Sequence, residues 1–465
     1  MSTDLAPADV RARRWTALAL ICAAQFMLIL DVTVVNVALP AVAADLDLGR
    51  TALTWVVTAY TLCFGGLMLL GGRLADALGA RRVLLTGLAL FTAASLACGL
   101  APNAAVLLSG RVAQGIGAAL LSPAALALVT TTFHGPERAK ALGVWAAIGG
   151  TGSAVGVLLG GALTAGPGWP WIFYVNVPTG LALLAALPKA LPKDKPTAGT
   201  GPLDIPGAIL VTTATGALVY GLIRAGDSGW TSPATLLPFL GAAALYAAFA
   251  AAERRTRTPL MDLRMLTRRP VVAGSLLMLV ATALLISFFF LGSMLLQRVH
   301  GLDAFRTGLL FLPVALTTAI GAHLGSRLVT TAGPRACATG GMALAAAGCL
   351  PLAFLTPTAD PWTTLLPSLA TAALGLGAVF VTATTTALGL IPPHEAGLAS
   401  GIVNTFHEVG GTIGVAVTST LALGTAGFTT TFTLLTVTAT TAALTAPLLI
   451  PPGRPRTTGG AHGVH

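Results

Sequence analysis

Charge is scarce in this chain. Asp, Glu, Lys and Arg make up 9% of its 465 residues, where a soluble globular protein carries roughly 25%. Set against 55% hydrophobic residues, that scarcity excludes an ordinary soluble domain. Acid is scarcer than base, with 16 Asp and Glu against 26 Lys and Arg. The five cysteines, Cys22, Cys63, Cys98, Cys337 and Cys349, all fall in apolar runs without metal-ligand spacing. They read as small buried hydrophobes. No GxxxxGK stretch occurs, so nothing points to an ATP-driven pump. A metal-ligand set and a nucleophile elbow are missing as well, and we expect no metal, no cofactor and no enzyme. The N-terminus offers no cleavable signal, because its apolar run is too long and ends in Asp31 and a polar turn.

What is present is a series of long apolar runs between short charged or Pro/Gly loops, the pattern of an all-α polytopic membrane protein. Fourteen segments are long enough to span: 15–38, 52–71, 82–100, 105–131, 140–163, 170–188, 205–224, 234–252, 271–296, 307–328, 336–355, 363–390, 397–422 and 428–450. Each is near the ~20 residues that cross a bilayer as a helix. The weakest patterns are 170–188, which holds Pro170 and Pro178, and 428–450, which is rich in Thr. The formal charge of +10 follows from the positive-inside rule rather than from nucleic-acid binding. With the N-terminus placed inside, 21 Lys and Arg fall in inner segments and 4 in outer loops, while Arg111 lies within a span. That split favours an even helix count and both termini in the cytoplasm.

The sequence also repeats itself. Gly71-Gly72-Arg73-Leu74 with Gly79-Ala80-Arg81 is echoed by Gly325-Ser326-Arg327-Leu328 with Gly333-Pro334-Arg335, at an offset of 254 residues. Glu137–Gly143, Gly152 and Gly156 answer Glu395–Gly401, Gly410 and Gly414 at an offset of 258. The organisation expected is a cytoplasmic tail (1–14), an amino-terminal six-helix half (15–188), a linker (189–204), an inserted helix pair (205–252), a basic cytoplasmic loop (253–270), a carboxy-terminal six-helix half (271–450) and a second tail (451–465). Both tails look disordered. The arginine-rich loop reads as an anchor at anionic headgroups, so membrane lipid is a partner.

Two acids lie deep in the spans, Asp31 and Glu408. A carboxylate near the bilayer centre is costly and usually faces a cavity with a function there. Asn36 follows Asp31 on the same run. Arg111 opens the fourth span, followed by Gln114 and several small residues. It either snorkels to the interface or sets the protonation of a nearby carboxylate. The turn Gly71–Arg82, with Arg73, Asp76, Gly79, Arg81 and Arg82, is either a topogenic loop or a latch in which Asp76 pairs with Arg73 or Arg81. Its echo in the second half favours the latch. In the fifth span Gly149, Gly150, Gly152, Gly156, Gly160 and Gly161 form nearly one flat face, suited to close packing and to sliding. In the thirteenth, Asn404 and Glu408 share a face at i,i+4, with His407 beside them. That group is either a structural hydrogen-bonding cluster or a site for a cation or a proton. His323 and His407 titrate near neutrality when unperturbed, and a structural role is favoured for each.

Taken together, LDVTVVNVALP (30–40), GGRLADALGARR (71–82), RVAQGIGAALLSPAALALV (111–129) and GGTGSAVGVLLGG (149–161) resemble the major facilitator superfamily. The fourteen spans resemble its drug:proton antiporter branch. The resemblance covers nearly the whole chain beyond its tails. It implies the major facilitator fold, two six-helix halves with two inserted helices, in the cytoplasmic membrane of a bacterium. It also implies export of a small-molecule drug or antibiotic in exchange for protons, by a protein we expect to be monomeric. By position Asp31 matches the family's helix-1 acid, Arg111 its helix-4 arginine, and Asp76 with Arg81 its cytoplasmic gate. Asp31, Glu408 and Arg111 are the proton-coupling candidates. Asn36, Gln114, Asn404 and His407 are candidates for lining the substrate cavity. The chain departs from the family in helix 13, where members often carry Arg-Gln in place of His407-Glu408. An exporter of an endogenous metabolite or lipid would share every motif, and a non-transporting membrane sensor should lack the buried charges and the glycines.

Overall fold

The structure is a computed structural model that describes residues 7–133, 135–192, 194, 204–256, 259, 263–354, 360–389, 396–422 and 427–450. Fourteen long helices run in chain order. They are α1 (Pro7–Asp45), α2 (Arg50–Leu78), α3 (Ala80–Gly99), α4 (Ala104–Thr132), α5 (Gly135–Ala165), α6 (Trp171–Ala190) and α7 (Ile205–Ser228), followed by α8 (Pro233–Arg255), α9 (Arg269–Met294), α10 (Ala304–Thr331), α11 (Pro334–Cys349), α12 (Leu366–Leu388), α13 (Ala396–Ala422) and α14 (Gly427–Leu449). Twelve are long and apolar enough over their described residues to cross a membrane. The other two, α5 and α13, have 31 and 27 residues. The chain is a multi-pass membrane protein.

Local chemistry explains the elements that the sequence marks weakly. In α14 the threonines satisfy their hydroxyls within the helix: Thr431, Thr436 and Thr440 each donate to the carbonyl four residues back at 2.8–2.9 Å. The hydroxyls of these three are thereby satisfied within the helix. In α6 the chain stays helical through Val175, at φ −60° and ψ −27°, with its N–H on the Trp171 carbonyl at 3.1 Å. The first helix begins at Pro7, so residues 7–14 are helical rather than disordered. Pro, with no N–H to satisfy, suits a helix start. Residues 1–6 and 451–465 lie outside the described residues.

Both sequence echoes are structural. Gly79 and Gly333, 254 residues apart, adopt φ 99° and 88° at the starts of α3 and α11, a region that favours Gly. A Cβ on Gly71 would fall 1.9 Å from the Ala119 carbonyl oxygen, and one on Gly325 would fall 2.6 Å from Ala378 Cα. The α2–α4 and α10–α12 contacts are therefore the same contact made twice. Likewise Gly152 and Gly156 press α5 onto α1 at Ile29 and Thr33, as Gly410 and Gly414 press α13 onto α9 at Leu279 and Ala283.

The six-helix sets α1–α6 and α9–α14 meet along α5–α10 and α2–α13. α7 and α8 pair with each other, and α7 packs on α2 and α13. Call basal the end where α1 starts and α14 finishes, and distal the opposite end. A continuous apolar core joins the distal part of α1–α6 to α9–α14, from Val34, Val57 and Phe173 to Phe288 and Phe311. The basal part of α1–α6 has a separate core, with Leu28, Phe64, Phe91 and Phe133. Gln297 donates across the distal junction to the Val37 carbonyl at 2.8 Å.

Candidate functional site: a buried ion pair in the first half

Asp31 does not face an open cavity. It is enclosed within the amino-terminal half, 1% exposed, against Arg111 of α4, also 1% exposed. Arg111 Nη1 donates to Asp31 Oδ2 at 2.5 Å. The other carboxylate oxygen accepts from Gln114 Nε2 at 3.1 Å and from Asn176 Nδ2, on α6, at 3.2 Å. The remaining polar atoms are partnered in turn. Arg111 Nε donates to the Val56 carbonyl at 2.9 Å, and Nη1 also reaches Gln114 Oε1 at 2.8 Å. Gln114 Nε2 donates to Ser95 Oγ, on α3, at 2.8 Å. The guanidinium lies over the Tyr60 ring, its carbon 4.4 Å from the centroid.

Five helices besides α5 thus meet around one carboxylate, and α5 supports the sixth side. A Cβ on Gly156 would collide with Thr33 Oγ1, and one on Gly160 would fall 2.9 Å from Val34 Cα. Those glycines bring α5 to backbone contact with the turn that carries Asp31. Gly149 and Gly150 lie on α5, with their surroundings outside the described residues. Gly161 turns the other way, to Ala304 of α10. A desolvated ion pair is tolerable only when its remaining hydrogen bonds are made, and here nearly all of them are. Protonating Asp31 would remove the anion and leave Arg111 charged among neutral dipoles.

The second acid stands across the junction between halves. Glu408 is mostly enclosed, with a side chain 12% exposed, and lies 3.2 Å from His407 Nδ1. Its Cβ packs where Gly65 of α2 leaves room, and one turn on Thr412 donates to Thr61 at 2.7 Å across the same seam. His407 packs on Phe380, with centroids 5.9 Å apart. Asn404 is exposed, so the shared helical face does not make it a partner of Glu408. His323 is exposed too. Asn36 does not join the Asp31 cluster: it is buried and donates to its own helix, at the Val32 carbonyl, 2.7 Å away.

The loop after α2 is tied differently from the expected Asp76 latch. Asp194, from the linker, accepts from the backbone N–H of Arg81 and of Arg82, each at 3.0 Å. It thereby caps the start of α3. The Arg81 side chain donates to the Pro188 carbonyl at 2.7 Å and that of Arg73 to the Pro259 carbonyl at 2.8 Å. Asp76 remains near Arg73, whose charge acts on it. Sequence reasoning missed Asp194, Asn176, Ser95 and Tyr60. Of these only Asn176 carried a signal, as a lone amide in the apolar run WIFYVNV (171–177).

Two repeated six-helix halves, the first enclosing a buried ion pair, are the architecture of a membrane transporter. The chain belongs to the Major Facilitator Superfamily, whose family model matches residues 21–415. It is 41% identical over 418 residues to the puromycin resistance protein pur8 of Streptomyces alboniger, covering 89% of this chain and 82% of that one. It is 37% identical over 418 residues to the cephamycin export protein CmcT of Amycolatopsis lactamdurans, covering 89% and 86%. Among solved structures, a bacterial homologue of the human lysosomal transporter Spinster, in an inward-facing and unoccupied conformation, superposes with a TM-score of 0.65. Identity is 17%, with coverage of 94% of this chain and 97% of that one. That likeness concerns the fold.

Proposed function

We propose that the protein exports drugs or antibiotics across the cytoplasmic membrane of a bacterium in exchange for protons. The observation that carries this reading is the Asp31–Arg111 pair. It is an acid that can be neutralised, buried beside a fixed cation, on the helix that α5 approaches closely at Gly152, Gly156 and Gly160. The names of the relatives, a resistance protein and an export protein, supply the direction and the substrate class.

The basal end is the cytoplasmic one, because the basic residues concentrate there. The distal core shared by both halves and the separate basal core then describe a state closed to the outside. A proton arriving from outside neutralises Asp31. Arg111 loses its counter-charge, and the packing around α1, α4 and α5 loosens. The halves rock about α2–α13 and α5–α10, in the manner of alternating access. The α2–α3 loop and its counterpart at Gly325–Arg335 control the inner closure. Glu408, with His407, reads the charge of the substrate.

The test is gradient-driven uptake of a cationic dye and of a neutral antibiotic into inverted vesicles, comparing wild type, Asp31→Asn and Glu408→Gln. We expect Asp31→Asn to abolish uphill movement of both compounds, and Glu408→Gln to impair only the cation. Equal gradient-driven transport by wild type and Asp31→Asn would refute Asp31 as the coupling acid. A folded wild type that moves neither compound would refute the drug-export reading.

A further inference from the structure

The inserted pair α7–α8 touches both halves, but the two do not hold it in the same way. At its distal end Asp227 of α7 pairs with Arg50, the first residue of α2, and accepts from Thr51 Oγ1 at 2.9 Å. Arg50 is mostly enclosed, with a side chain 14% exposed. Its Nη2 also donates to the Ile223 carbonyl, one turn back on α7, at 3.2 Å. Further down, Gly66 of α2 leaves room for Thr212 of α7, whose hydroxyl oxygen would lie 2.6 Å from a Cβ placed there. Lower still, Leu67, Leu69 and Leu70 of α2 pack with Ala208 of α7 and Phe249 of α8.

The chain on either side of the pair is held by the first half as well. It approaches α7 past Asp194, whose carboxylate takes the backbone N–H groups of Arg81 and Arg82. It leaves α8 past Pro259, whose carbonyl takes Arg73. Both anchors lie at the one corner between α2 and α3. The chain then passes to the second half, where Met265 packs with Val271 of α9 and Ile402 of α13. Against α7 itself, α13 sets a neutral bond, from the Thr420 hydroxyl to the Leu222 carbonyl at 2.8 Å, and Ala416 packed with Val219 and Ile223. Charge-assisted hydrogen bonds are stronger than neutral ones. Ties at the distal end, along the helix and at both basal approaches fix direction as well as position, which one hydroxyl bond over a small apolar contact does not.

We propose that α7 and α8 ride on the amino-terminal half, so that the two moving bodies have eight helices and six rather than six and six with a loose pair between them. Outward opening parts the distal ends of the halves. It then keeps Arg50 on Asp227 and separates Thr420 from Leu222. The surface over which α13 moves is made by α2 and α7 together. The inference rests on the alternating-access reading and adds to it which body carries the inserted pair.

Distances among three spin labels test this. The sites are distal and exposed: Pro102 in the first half, Thr231 between α7 and α8, and Thr430 in the second half. The labels are carried on keto amino acids, so the native cysteines stay in place. Pairs are measured in proteoliposomes by pulsed electron double resonance, at acidic and at alkaline pH, with an Asp31→Asn series beside them. Gradient-driven export of a cationic dye by the labelled chains without Asp31→Asn is the check on folding. Where a label stops export, the exposed neighbours Ala105, Pro233 and Trp362 take its place. Pro102–Thr430 reports the rocking and should change between conditions. Thr231–Thr430 should change with it. Pro102–Thr231 should change by less than about a third as much, as two labels on one rigid body do. A Thr231–Thr430 distance that stays constant, or changes of similar size in both Thr231 pairs, overturns the proposal and leaves alternating access standing. A Pro102–Thr430 distance that never changes overturns the alternating-access reading and the proposal with it.

Discussion

Replacing Asp31 by Asn removes the charge and turns one acceptor into a donor. The amide is isosteric with the carboxylate and keeps one oxygen for Arg111, while the side-chain amides of Gln114 and Asn176, which donate to the other oxygen, must turn over to accept from the new NH2. What is lost is the Coulomb attraction across a pair whose two side chains are essentially unexposed. For unit charges about 4 Å apart at an effective dielectric of about 20, that term is about 4 kcal/mol. Truncating one partner of a buried pair typically costs about 3–5 kcal/mol, whereas removing both is often neutral. Asp31→Asn should therefore lower unfolding free energy by about 3–5 kcal/mol, and Asp31→Asn with Arg111→Gln should recover most of it. The assay is reversible unfolding of the purified protein in mixed micelles under added SDS, read by far-UV circular dichroism. Transport should be lost in both variants, because stability returns with the second substitution and proton binding does not. If the single variant is as stable as wild type, or the double variant no better than the single, Arg111 is not held by Asp31 in the way described. Asp31→Asn also imitates the protonated acid, so the same energy measures how hard proton loading strains the first half.

Three further outcomes follow from the packing. Gly71→Ala and Gly325→Ala each place a Cβ against backbone of the neighbouring helix. Each should cost about 1–3 kcal/mol in the same unfolding assay, with the larger loss at Gly71, where the opposing atom is closer. Asp194→Ala uncaps α3 and should cost about 0.5–2 kcal/mol in the same unfolding assay, and an unchanged unfolding free energy would refute the capping role. Gln297→Ala removes a distal bond between the halves. Labelling of a single cysteine placed at Val37 from the distal side should rise, and unchanged labelling would mean that this bond does not hold the closure.

The fold was legible because bilayer physics writes it in one dimension: apolar length, loop charge and a repeated glycine spacing. Gly79 and Gly333 share an offset in sequence because they share a backbone conformation in space. The site was legible only in part. Depth and resemblance singled out Asp31 and Arg111, which the structure brings together, whereas Gln114, expected at a substrate cavity, is buried in hydrogen bonds with the same pair. Asn36 has the same polar character one turn on, yet its amide is spent on its own helix. Asn404 and Glu408 share a helical spacing but not an environment, since spacing fixes a face and not what the face meets. Tyr60 resembles any core aromatic until its ring is found against the Arg111 guanidinium. Asp194 is invisible because a capping acid in a Lys-rich linker has no periodic signature.

The inserted pair has a consequence for the symmetry of the molecule's lipid-facing wall. The halves meet along two seams, α2–α13 and α5–α10, and α7 lies on both helices of the first. Arg50 and Thr51 fasten the distal end of α7 through Asp227, and Thr420 fastens it from α13 at the Leu222 carbonyl. One seam is thus roofed, while among the described contacts the other is bare of any helix beyond the twelve. The wall that the two seams present to the bilayer is therefore asymmetric, with a further helix pair over one flank and, among the described contacts, none over the other.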